Sequence, residues 1–219
     1  MAGQCPKEIQ NGHPKTNLLI KNKFIPPKNM NIEILIAGFG GQGVLSMGKT
    51  LAYAGVLSGK EVTWLPSYGP EQRGGTSNVT VVISDDRISS PIVSSYDVVI
   101  ALNQQSVSKF ESKVKSGGLL IYDSYGIMEQ PTRTDINIYS VDATQTANAN
   151  NLQKMTGIMV LGALLGLNPL VDTTSIMDSL AKTLPERYHK LLPANQKALS
   201  MGQTMAVCQN KAHQNQVAA

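Results

Sequence analysis

The chain has 219 residues, 42% of them hydrophobic and 16% charged, a globular composition that excludes an intrinsically disordered chain. Its formal charge of +4 is carried by the first 30 residues, where Lys7, Lys15, Lys21, Lys23 and Lys28 face a single Glu8; residues 31–219 hold 14 bases and 14 acids. A neutral body gives no reason to expect nucleic acid as a partner.

Cys5 and Cys208 are the only cysteines and form no C-x-x-C, so neither a disulfide framework nor a thiolate site for zinc or an iron–sulfur cluster is expected. His13, His189 and His213 stand in no metal-ligand spacing, and no metal site is expected on this chain. The longest apolar run, Ile158 to Leu167, is shorter than the ~18–20 residues of a membrane span. The N-terminus also lacks the apolar core of a secretory signal. Together these features lead to the expectation of a cytoplasmic protein with a basic arm over 1–30, a folded body over 31–210 and a short tail over 211–219.

The body opens on IEILIAG, Ile32 to Gly38, a short apolar run of the kind that forms a strand buried on both faces. The glycine-rich GFGGQG follows, and helical spacing then runs through residues 43–58 to a stop at Gly59. Glu61 to Pro66 and Thr76 to Ile83 read as two further strands, separated by the polar segment SYGPEQRGG. Asp97 to Leu102 repeats the buried-strand pattern, with Asn103 as cap of a helix over QQSVSKFESKVK that Gly117-Gly118 would end. Leu119 to Tyr122 and residues 136–141 are the remaining strands, and the chain is then mostly helical to about residue 210. Leu152 to Leu167 is apolar on nearly all sides, the signature of a buried helix. The stripe Ala194, Ala198, Met201, Met205, Cys208 calls for a partner surface, either the sheet or another subunit. The expected fold is α/β: an open, mostly parallel, Rossmann-like sheet with flanking helices and a helical C-terminal part.

Two motifs share the first turn. Gly38, Gly40 and Gly43 satisfy G-x-G-x-x-G between a strand and a helix, the setting in which a phosphate can approach a helix N-terminus. A dinucleotide site would add a carboxylate at the end of the second strand, where this chain has Thr63-Trp64-Leu65-Pro66. The turn is therefore open to three readings: a dinucleotide-binding module, a contact for a phosphate-bearing carrier cofactor, or packing alone. Gly43 to Thr50 also fits G-x-x-x-x-G-K-[ST], and Asp123 could serve as the magnesium-side acid of a stand-alone P-loop ATPase. That reading is mechanically poor, because Lys49 and Thr50 fall well inside the helical stretch. The segment Ser67 to Gly75 lies beyond a strand's carboxyl end, where Arg73 and the neighbouring glycines could meet a carboxylate or phosphate. No nucleophile elbow, catalytic triad or paired carboxylate is visible, and no catalytic residue is assigned.

IAGFGGQGVLSMGKTLAYAG, TWLPSYGPEQRGGTSNVTVVIS and SSPIVSSYDVVIALNQQSVSKFESKVKSGGLLIYDS, in that order, resemble the gamma subunit of 2-oxoacid:ferredoxin oxidoreductases over about residues 31–205. The SYGPE form with TWLP and ALNQ is closest to the gamma subunits of 2-oxoglutarate enzymes; Gln72 and Val79 depart from the pattern without removing a charge or a glycine. The resemblance implies a complete enzyme that decarboxylates a 2-oxoacid on thiamine diphosphate and magnesium. It passes electrons through iron–sulfur clusters to ferredoxin and releases an acyl-CoA. It also implies that those cofactors sit in alpha and beta partner subunits, with a delta subunit as a further candidate. This chain would bind no cofactor alone, would be inactive when isolated, and would contribute assembly and a contact with coenzyme A. Gly38, Gly40, Gly41, Gln42 and Gly43, with Tyr68, Arg73, Gly74 and Gly75, are the residues expected at that contact.

Overall fold

A computed structural model of the chain describes residues 30–69 and 75–217. Its strands are β1 (Asn31–Phe39), β2 (Glu61–Tyr68), β3 (Thr76–Ser84), β4 (Tyr96–Ala101), β5 (Val114–Asp123) and β6 (Asn137–Val141). The helices are α1 (Val44–Leu57), α2 (Gln104–Phe110), α3 (Ala143–Ala149), α4 (Thr156–Leu167), α5 (Thr173–Thr183) and α6 (Leu192–Val217). The six strands form one sheet in the order β2-β3-β1-β4-β5-β6. Pairings β1–β4, β4–β5 and β5–β6 are parallel, whereas β3 runs antiparallel to both β1 and β2. The expected open, mostly parallel α/β sheet is what the chain forms, with β3 as its one reversed strand.

The apolar strand runs are continuous because the sheet is covered on both faces. Ile34, Ile36, Val81, Ile83, Ile100 and Ile121 belong to a large core shared with α1, α3, α4, α5 and α6. Leu35, Val99, Leu120 and Tyr122 point the other way, into a smaller core that Val107 of α2 closes. The helix read over 43–58 is α1, and Gly59 follows it in the left-handed conformation, φ 74°.

Two expectations change. The helix read over QQSVSKFESKVK ends at Phe110; a single 3-10 turn, Glu111–Lys113, leads straight into β5 at Val114. Val114 is buried and pairs with Tyr96, and Lys115 is drawn into ion pairs with Glu33 (2.7 Å) and Asp97 (2.9 Å). Gly117-Gly118 is then a kink inside β5 rather than a helix stop. Gly117 has φ 76°, the register shifts there, and a Cβ on Gly118 would stand 2.8 Å from the Lys115 carbonyl oxygen and 2.9 Å from that of Asp97.

The stripe on the last helix meets the core on the sheet's larger side, touching the sheet at β6 and packing mainly on α4. Ala198 of α6 is buried and Met201 and Met205 are half-buried against the core that contains α4. The two helices approach backbone to backbone, Gly162 facing Leu199 and Gly202 facing Met159. α4 begins at Thr156 after a 3-10 turn at Gln153–Met155, and nine of its residues are buried, as its all-round apolarity requires. Among the described residues no helix is long and apolar enough to cross a membrane. No group of three or more His, Cys, Asp or Glu gathers there to hold a metal ion.

Candidate functional site at the carboxyl edge of the sheet

β1 and β4 are neighbouring parallel strands whose following helices leave on opposite faces, α1 into the large core and α2 into the small one. The chain therefore parts at their carboxyl ends, and that is where an open α/β sheet places its crevice. Here the crevice is a cleft of about 260 Å³. The glycine turn forms one wall, with Gly41, Gln42, Gly43 and Ser46 at the start of α1. Asp123 ends β5, Thr144 stands in the first turn of α3 after β6, Lys154 comes from the 3-10 turn before α4 and Thr156 starts α4.

The turn needs its glycines for different reasons. Gly41 and Gly43 have φ of 100° and 79° with open space where a Cβ would be, so backbone conformation selects them. Gly38 has an ordinary backbone, but a Cβ there would come within 2.8 Å of Gln42 Oε1 and 3.2 Å of Leu102 Cβ. Gly43 is the N-cap residue of α1 and brings no capping side chain, so no side chain caps the first N–H groups of that helix, whose end borders the cleft at Gly43 and Ser46. Their partial positive charge, the exposed Lys154 ammonium, and the Ser46 and Thr144 hydroxyls suit an anionic, phosphate-bearing ligand. Asp123 on the inner side is 3% exposed. It accepts hydrogen bonds from Thr144 Oγ1, the Tyr125 N–H (3.3 Å) and the Thr144 N–H (3.4 Å), and burial pushes its carboxyl above the ordinary range in spite of them. Among the described residues no His or Cys lines the cleft; its lining of backbone amides, hydroxyls and Lys154 suits holding a ligand.

The residues expected at the site divide cleanly. Gly38, Gly40, Gly41, Gln42 and Gly43 form one turn, and Gly75 joins it because the Gly40 N–H donates to the Gly75 carbonyl oxygen at 2.9 Å. Reversal of β3 makes this possible: Phe39 and Thr76 are paired in the sheet, so the two glycine segments meet at one edge. The Tyr68 backbone pairs with Ser77 at the end of β2. The side chain of Tyr68, and all of Arg73 and Gly74, lie outside the described residues. Thr144, Lys154 and Thr156 escaped the sequence reading. Thr144 follows a strand end and was open to the carboxyl-edge rule, whereas Lys154 reaches the cleft only through the packing of α4, which no local pattern announces.

The P-loop and dinucleotide readings fail on geometry. Lys49 is exposed on α1 with its ammonium 5.8 Å from the Tyr53 ring, and Thr50 is buried with its carbonyl accepting from Ser179 Oγ. Neither is at the helix N-terminus where phosphates bind. The chain is expected to hydrolyse no ATP above background, and Lys49→Ala to change its stability by less than about 0.5 kcal/mol in a urea melt. A phosphate-dependent loss in that variant would restore the P-loop. The end of β2 is separated from the glycine turn by all of β3, roughly two strand spacings or ~10 Å, so no ribose-binding acid could act from there.

The pyruvate ferredoxin/flavodoxin oxidoreductase family matches residues 33–205. Ketoisovalerate oxidoreductase subunit VorA of Methanothermobacter marburgensis is 37% identical over 189 residues, covering 84% of this chain and 39% of its own length. The chain thus spans about two fifths of that relative. 2-Oxoglutarate synthase subunit KorC of Methanocaldococcus jannaschii is 34% identical over 160 residues, covering 72% of this chain and 86% of its own. Among solved structures, the gamma subunit of a keto/oxoacid ferredoxin oxidoreductase from Geobacter sulfurreducens superposes with a TM-score of 0.71 at 29% identity, covering 82% of this chain and 98% of that one. A 2-oxoglutarate:ferredoxin oxidoreductase from Magnetococcus marinus, solved with 2-oxoglutarate, coenzyme A and succinyl-CoA bound, gives 0.74 at 25% identity, covering 81% of this chain and 31% of that one.

Proposed function

The chain belongs to the pyruvate ferredoxin/flavodoxin oxidoreductase family, as a gamma-subunit type of 2-oxoacid:ferredoxin oxidoreductase chain, and from that premise we propose that it serves a 2-oxoglutarate enzyme and contacts coenzyme A. The assembled enzyme would convert 2-oxoglutarate, coenzyme A and oxidised ferredoxin to succinyl-CoA, carbon dioxide and reduced ferredoxin in the cytoplasm. Thiamine diphosphate, magnesium and the iron–sulfur clusters would belong to the alpha and beta subunits, and to a delta subunit where one is present. Cys5 and Cys208 are too few to hold a cluster.

One observation carries the reading. The hydrogen bond from Gly40 to Gly75 draws GFGGQG and the end of YGPEQRGGT, far apart in sequence, into a single edge beside the uncapped start of α1. A carrier cofactor with a phosphorylated tail would find backbone N–H groups and Lys154 there. The choice of 2-oxoglutarate rests on the KorC relatives, which this chain matches over most of their length.

Reconstitution tests both statements. Mixed with a thiamine-diphosphate subunit pair, the chain is expected to restore coenzyme A-dependent ferredoxin reduction with 2-oxoglutarate, and to oxidise no 2-oxoacid alone. Equal or better turnover of pyruvate or ketoisovalerate would reassign the substrate. Arg73→Ala should raise the KM for coenzyme A about tenfold, the scale of one lost charge-assisted hydrogen bond. An unchanged KM would move the loop that contains Arg73 to assembly.

A further inference from the structure

The geometry points to Gln42 and Asn103 as positioning residues, an amide clamp that bridges the β1–β4 crevice and sets the conformation of the glycine turn. Gln42 Oε1 accepts from the Phe39 N–H (2.6 Å) and from Asn103 Nδ2 (3.0 Å), while Gln42 Nε2 donates to the Leu102 carbonyl oxygen (2.9 Å). Asn103 Oδ1 in turn accepts from the Ser106 N–H at 2.8 Å and caps α2. A continuous chain of hydrogen bonds thus runs from the first turn of α2, through two side-chain amides, to the last residue of β1. It crosses the point where the two strands send their helices apart.

Each bond fixes something the turn does not fix for itself. The backbone bonds of the residues between β1 and α1 are those from the Gln42 N–H to the Phe39 carbonyl (3.1 Å), from the Gly40 N–H to Gly75 and from the Met47 N–H to the Gly43 carbonyl (2.9 Å), and the Gln42 side chain adds the ties across the crevice. Gly41 and Gly43 lie in left-handed conformations that glycine enters freely and leaves as freely. Without the clamp, the turn would sample conformations in which the uncapped end of α1 no longer borders the cleft. Gly38 is shaped to the same purpose, since a Cβ there would meet Gln42 Oε1 first. Gln42, a candidate for direct ligand contact by sequence, has its carbonyl oxygen and one amide proton engaged within the chain. It acts through the turn.

The inference rests on the reading of this edge as the coenzyme A contact, and its test separates the two. In the reconstituted complex, Gln42→Ala is expected to raise the KM for coenzyme A about tenfold while kcat stays within about twofold, as when a ground-state binding contribution is removed. Gln42→Glu keeps both acceptor roles but sets a carboxylate against the Leu102 carbonyl oxygen. Its KM should fall towards the wild-type value as pH is lowered and the carboxyl gains the proton that can be donated to Leu102. Asn103→Ser retains an N-cap for α2 yet is too short to reach Gln42, and should reproduce the KM of Gln42→Ala without unfolding α2. Independently of any activity, amide hydrogen exchange at residues 39–43 of the chain by itself should accelerate about tenfold or more in Gln42→Ala. Unchanged exchange, or a pH-independent Gln42→Glu variant, would overturn the clamp. A wild-type complex that turns over without coenzyme A would instead overturn the proposed function and leave the exchange result standing.

Discussion

Gly202→Ala is expected to cost the chain about 3 kcal/mol or more and to lower its Tm by roughly 6–12 °C. The Cβ would overlap the Met159 carbonyl oxygen and press on Ala163 N, both main-chain atoms of α4. A clash with a side-chain tip is relieved by a rotamer change, but here a whole helix has to move. The opposite side of the contact is equally closed, because a Cβ on Gly162 would overlap the Leu199 carbonyl oxygen. Ala163 and Leu199 flank the seam and have no exposed surface, so there is no direction in which α6 can retreat without opening a void. Urea melts of the two single variants, with m unchanged, would measure the cost; a Tm loss of less than about 2 °C would mean that the helices do not meet at main-chain distance.

Gly43→Val is expected to harm ligand binding by a different route. Its Cβ would meet nothing within 4 Å, so crowding contributes nothing, but φ is 79°, where a β-branched residue is a genuine outlier. The strain is about 1–2 kcal/mol for an ordinary side chain, and the turn relieves it by moving the uncapped end of α1 away from the cleft. On the coenzyme A reading the KM should rise about tenfold or more, the equivalent of about 1.4 kcal/mol. Gly43→Asn should stay within about threefold of wild type, because asparagine tolerates the left-handed region. Equal effects of Val and Asn would show that side-chain volume, rather than backbone conformation, controls the site.

The two glycines also mark what a reader of the sequence could and could not see. Gly43 belonged to a visible motif between a strand and a helix, so its role at the edge of the sheet was legible before any coordinates. Gly202 was not singled out: it follows Met201 of a stripe whose spacing demanded a partner surface, but nothing local says that α4 would supply the close contact. Periodicity records which residues face inward and not what they face. The same limit explains β5. Lys115 fell within the stretch read as a helix because charge patterns do not distinguish solvent from an ion pair with Glu33 and Asp97. At the site, the glycine turn was legible as a string and the strand-end position of Asp123 as a motif element. Lys154 was not, since it is brought to the cleft by tertiary packing alone. Gln42 was visible, but its use was not: an amide is equally suited to a ligand and to three neighbours in its own chain.

The reversed strand β3 has a consequence for how the chain folds. Parallel neighbours such as β1 and β4, which align Ile34 with Val98, must close long loops before any contact rewards them. β2 and β3 are joined only by residues 69–75 and zip together from Tyr68 opposite Ser77 to Glu61 opposite Ser84. This hairpin has the lowest loop-closure cost in the sheet, and its β3 edge is the surface on which β1 is laid down over its whole length. The piece that brings the two glycine segments together is thus also the natural nucleus of assembly. Substitutions within it, such as at Val81, should slow folding more than they hasten unfolding, while those at the β5–β6 edge should do the reverse.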